Sequence, residues 1–161
     1  MSTGLLILTL VHTAISLIAI VAGIVAVKHL FDGRIDRFWT RLFLWMAILT
    51  SVTGYFFPFA GVTPAQIVGL LALAILAAVL LAAWRQRLGH WRWIYAGGVV
   101  ASLYLLCFVL VVQSFKHVPF LNPLAPTGSE PPFKVAQLVV LVLFVAVGFG
   151  AVRKFRPLAT A

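Results

Sequence analysis

The stretch AQIVGLLALAILAAVLLAAWRQRLGHWRWIYAGGVVASLYLLCFVLVV, Ala65–Val112, decides how this chain is read. Two apolar runs, Ala65–Trp84 and Trp93–Val112, flank a short segment rich in arginine and tryptophan. As a helix rising ~1.5 Å per residue, each run can cross the ~30 Å of hydrocarbon in a bilayer. Neither has the short alternating pattern of a membrane barrel strand. Trp84, Trp91 and Trp93 sit where aromatic belts mark a membrane–water interface, and the arginines between them suit the cytoplasmic side.

The same pattern extends in both directions. Further apolar runs lie at about residues 4–27, 38–60 and 131–152, so the fold expected is a single bundle of five transmembrane helices. The chain is 63% hydrophobic and 9% charged. A soluble domain is nearer half apolar and a quarter charged, so a soluble fold is excluded. MSTGLLILTL lacks the basic start of a secretory signal and reads as part of the first span. Cys107 is the only cysteine, and no intrachain disulfide follows.

Charge gives the orientation. With five spans, Lys28, Arg34, Arg37, Arg41, Arg85, Arg87, Arg92, Arg153, Lys154 and Arg156 gather on one side. Only Lys116 and Lys134 fall on the other. Ten cations against two is a strong positive-inside bias, placing the N-terminus outside and the C-terminus in the cytoplasm. The expected location is the bacterial cytoplasmic (inner) membrane. A net charge of +9 raises nucleic acid as a partner, but cations clustered at span ends instead indicate topology signals and anionic lipid headgroups. Ala74, Ala78 and Ala82, and Gly98 with Ser102, form small-residue faces. These suit packing within the bundle, a homo-oligomer or a larger membrane complex.

Polar side chains concentrate in the outer half. Thr9, His12 and Ser16 share one face of the first span. Thr50, Ser51, Thr53 and Tyr55 end the second, with Phe56, Phe57 and Phe59 as an aromatic belt. Tyr104, Cys107 and Gln113 lie on the fourth span and Gln137 on the fifth. An ionisable group within a membrane is a default site hypothesis, and His12 is the strongest candidate. The ligand-binding set expected is His12, Ser16, Thr50, Thr53, Tyr104, Glu130 and His117. The plainer alternative is that His12 only bridges two helices by hydrogen bonding.

The histidines fall into an outer pair, His12 and His117, and an inner pair, His29 and His90. That layout leaves a b-type haem open as a cofactor, although three of the four lie in or beside loops and the outer pair differs in depth. There is no HxxxH or CxxC spacing for a metal. No nucleophile, base and orienting acid gather for catalysis. The function expected is non-enzymatic: binding or transport of a small ligand in an outward-facing pocket near His12. The alternatives are an accessory subunit of a larger complex, or a haem or quinone redox protein.

The outer loop, about 114–130, is rich in proline and reads as a semi-rigid lid over that pocket. Its end, Ser129-Glu130-Pro131-Pro132, is a helix start with Ser129 as N-cap. Glu130 is placed to pair with Lys134 four residues on.

Overall fold

The computed structural model describes residues 3–58, 61, 63–85, 87 and 89–156. Among these the chain is all helical: α1 Thr3–Phe31, α2 Arg37–Gly54, α3 Pro64–Trp84, α4 Trp91–His117 and α5 Pro131–Lys154, with a 3-10 turn at Asn122–Leu124. Four of the five, α1, α3, α4 and α5, are long and apolar enough to cross a membrane. The remaining helix, α2, has 18 residues, or ~27 Å, and carries Arg37 and Arg41 near its start. The run expected to continue to residue 60 leaves the helix at Gly54, where Tyr55 and Phe56 close a turn with amides donating to Val52 O and Thr53 O. Phe59 and Ala60, the last residues of that expected span, lie outside the described residues.

Local chemistry sets the helix ends. Asp36 caps α2 by accepting from the Trp39 amide at 3.0 Å. Thr63 and Gln66 form a reciprocal capping box at the start of α3, with Pro64 in its first turn. After α3, Arg87 adopts a left-handed backbone (φ 57). Its amide donates to Ala82 O at 3.0 Å, and its guanidinium lies 5.2 Å over the buried Tyr95 ring.

Helices consecutive in sequence run antiparallel. Thr53 of α2 meets His12 of α1, and ten residues earlier in α2 Phe43 meets Gly23 of α1. Along α4 and α5, Phe115 faces Phe133, Gln137 donates to Phe108 O, and Arg92 donates to Phe155 O. α1 packs on α2 and α4, while α3 bridges α2 and α4, so the first four helices close a ring. α5 packs outside it, on α4 and against α1.

The lower half of the ring, away from the start of α1, is filled. Phe43, Val79, Tyr95, Val99, Leu103 and Phe155 are almost fully buried there. Two glycines permit the tightest approaches. A Cβ at Gly23 would sit 2.7 Å from Leu103 Cδ1 and 2.8 Å from Phe43. One at Gly98 would sit 2.5 Å from Val79 Cγ2. Of the alanine stripe on α3, Ala82 is buried and Ala74 exposed, and the α3–α4 approach at Gly98 is made by Val79. Gly98→Ala is expected to destabilise the protein by about 1–3 kcal/mol, the usual cost of overpacking. A double variant that also shortens Val79 to Ala should recover part of that loss in a mixed-micelle unfolding titration.

Candidate functional site

The upper half of the ring, where α1 starts, is hollow. A cavity of about 400 Å³ lies among α1–α4, within the size range of small-molecule sites. Its upper wall includes His12, Tyr55, Phe57, Gln66 and Gln113. Its floor is Ala47, Leu76, Ser102 and Leu105. Gln66 to Leu76 along α3, and Gln113 to Ser102 along α4, both give a depth of roughly 15 Å. Below the floor the Gly23–Phe43–Leu103 and Val79–Gly98 contacts close the ring.

The sequence builds this hollow in a simple way. Glycine and alanine line much of it, through Ala47, Gly54, Ala65, Gly69 and Ala72. Gly54 ends α2 level with His12, and a Cβ there would lie 3.7 Å from the imidazole. Tyr55 then leaves the helix and crosses to α3, where its hydroxyl donates to Gln66 O at 2.8 Å and its ring rests on Gly69.

His12 is held on two sides. Its Nδ1 lies 2.8 Å from Thr53 Oγ1, and its ring meets Phe57 edge-on at 5.3 Å. The Thr53 hydroxyl has one proton, which goes to Leu49 O at 2.7 Å. Thr53 therefore accepts, and His12 Nδ1–H donates. In the neutral ring this tautomer, inferred from the partners, leaves Nε2 as an acceptor. Among the described residues no Asp, Glu, Lys or Arg lines the cavity.

The candidate residues divide into three groups. His12 and Thr50 line the cavity. Ser16 and Thr53 support them from behind: Ser16 Oγ donates to His12 O at 2.7 Å and approaches Thr50 Oγ1 at 3.4 Å. Tyr104, His117 and Glu130 are elsewhere. Tyr104 packs between Phe108 and Phe144, and His117 is exposed in the last turn of α4.

Glu130 belongs to the loop, which does not contribute to the cavity wall as a lid would. Residues 114–117 extend α4, and the rest folds onto the ends of α4 and α5. Asn122 donates to Phe115 O and Lys116 O, and Ala125 is buried. The N-cap of α5 is Glu130, not Ser129. Its carboxylate turns back instead of reaching Lys134, accepting from the Thr127 hydroxyl (2.8 Å) and amide (3.1 Å) and from the Ser129 amide (3.0 Å). Desolvation opposes ionisation, but these bonds outweigh it and hold the carboxyl at about 2. A depressed pKa stabilises the folded loop above the ordinary carboxyl range, and that contribution is lost as pH falls from about 4.5 toward 2. Amide exchange at Thr127 and Ser129, corrected for intrinsic rates, should therefore rise over this interval, and Glu130→Gln should remove the pH dependence.

Ser102 is the residue sequence reasoning missed. It is 2% exposed, lines the floor, and its hydroxyl has no hydrogen-bond partner among the described residues. Gln66 and Gln113 also line the upper wall. No second histidine joins His12 there, and among the described residues no three His, Cys, Asp or Glu side chains gather as a metal site. Comparison with known proteins finds no matching family model, curated protein or solved structure.

Proposed function

We propose that this is a small integral protein of the bacterial cytoplasmic membrane, non-enzymatic, that binds or transports a small ligand through an outward-facing cavity. The reading takes five crossings, with the N-terminus outside. Ten cations then fall at the lower end of the bundle, and α2, though short, runs antiparallel beside α1 over most of a bilayer's depth. The open cleft of Arg37, Phe38 and Arg41 suits an anionic lipid headgroup on the cytoplasmic face.

The observation that carries the reading is the cavity itself. It is hollow at the end opposite the ten-cation cluster, closed beneath, and holds the His12 imidazole at its upper wall. A histidine serving only as packing would sit in a filled contact. Native mass spectrometry of protein ejected from membranes tests the proposal, with a retained small molecule as the expected result. The proposal fails if no molecule is retained and His12→Ala alters neither uptake nor its pH response.

A further inference from the structure

Resting on that reading, we propose that the cavity selects uncharged molecules carrying a hydroxyl or carbonyl on an otherwise apolar body, inserted polar group first so that it bonds to Ser102 at the floor.

Several polar groups of the lining above the floor are already engaged. Tyr55 donates to Gln66 O, Ser51 donates to Ala47 O, and the Gln66 side chain is held in the capping box. Ser102 is different. Serine in a helix usually has the option of bonding the carbonyl one turn back, yet this hydroxyl is buried with no partner among the described residues. A buried hydroxyl left unsatisfied is costly.

Water is a poor remedy at this point. A stable buried water needs two to four polar partners; the lining at the level of Ser102 is Ala47 and Leu76, and of the hydroxyls one turn higher Ser51 is committed to Ala47 O and Thr50 is approached by Ser16. A ligand hydroxyl or carbonyl needs only the one bond, because its body fills the apolar space above. Ions are excluded by the same surroundings. With no Asp, Glu, Lys or Arg among the described residues of the lining, a carboxylate or ammonium would be desolvated without compensation. The depth of roughly 15 Å for about 400 Å³ favours a slender body over a compact one.

The probe is a diazirine-bearing octanol, photolysed with the full-length protein in lipid nanodiscs, with adducts mapped by mass spectrometry. Adducts are expected on Leu76, Leu105 or Leu106. Unlabelled 1-octanol should suppress them at about one-tenth the concentration needed for octane or octanoate. Ser102→Ala should bring octanol down to the level of octane while raising the melting temperature of the ligand-free protein, since it removes the unpaired hydroxyl and keeps the shape. Equal competition by octanol, octane and octanoate in the wild type overturns the selectivity and leaves a binding cavity standing. Selective octanol competition that survives Ser102→Ala overturns the role of Ser102. Absence of adducts in the cavity removes the binding reading itself.

Discussion

Phe43→Ala is expected to destabilise the bundle by about 2–3 kcal/mol. In a bilayer the unfolded helices are also in an apolar solvent, so the transfer part of the usual core penalty falls away and the void part remains. At ~24 cal/mol per Å³, a void of about 100 Å³ gives that figure. Phe43 is fully buried, and its ring rests against Gly23 beside Leu103, so collapse into the space is opposed by helices already at closest approach. Phe43→Leu should cost less than half as much. Steric trapping or a mixed-micelle unfolding titration gives both values.

The same substitution tests how the protein is closed. The Phe43 contact separates the hollow upper half from the filled lower half, and removing the ring extends the cavity downward. A transporter of the proposed kind would leak ligand through Phe43→Ala in liposomes, while Phe43→Leu stays tight. A binding protein without a transport step would lose stability with no change in flux.

The helices were legible in the sequence to different degrees, for identifiable reasons. α3 and α5 begin and end close to where apolar runs meet prolines or cations, whereas α1 continues past Lys28 and His29 to Phe31. α2 ends six residues earlier than its apolar run because hydropathy does not see the backbone. Gly54 weakens the helix, and Pro58 disfavours helical geometry in the residue before it. α4 runs longer than expected for the converse reason. Gln113, Ser114, Lys116 and His117 are polar enough to read as loop, yet nothing breaks the helix until Val118-Pro119.

The site was half legible. A histidine in an apolar run is conspicuous, and its spacing with Ser16 on one helix, and with Thr50 and Thr53 on the next, can be matched by depth. Ser102 was not. A lone serine in an apolar helix has the same local pattern whether it packs against a neighbour or faces a void. Which it does depends on how α4 is rotated against α2 and α3, and the serine's own neighbours in sequence do not encode that rotation. Glu130 and His117 were placed near the site by depth alone, and depth does not say which side of the bundle a loop folds toward.

His12→Ala should flatten the pH dependence of cavity occupancy and leave its level at high pH close to that of the wild type. Neutral His12 offers Nε2 as an acceptor while Nδ1–H is committed to Thr53. Protonation converts Nε2 into a donor and places a charge beside Phe57 and Gly54, with no carboxylate in the lining to receive it. A charge so placed disfavours an uncharged, largely apolar occupant, so wild-type occupancy should decline as pH falls through the titration of this imidazole. Thr53→Val supplies the control that separates position from charge. It keeps the imidazole but removes its tether, so a pH dependence should persist with a displaced midpoint. Octanol photolabelling of the three proteins across pH 5–8, the range in which histidine alone among unperturbed side chains changes charge, distinguishes these outcomes. An unchanged profile in His12→Ala would show that the imidazole only joins α1 to α2.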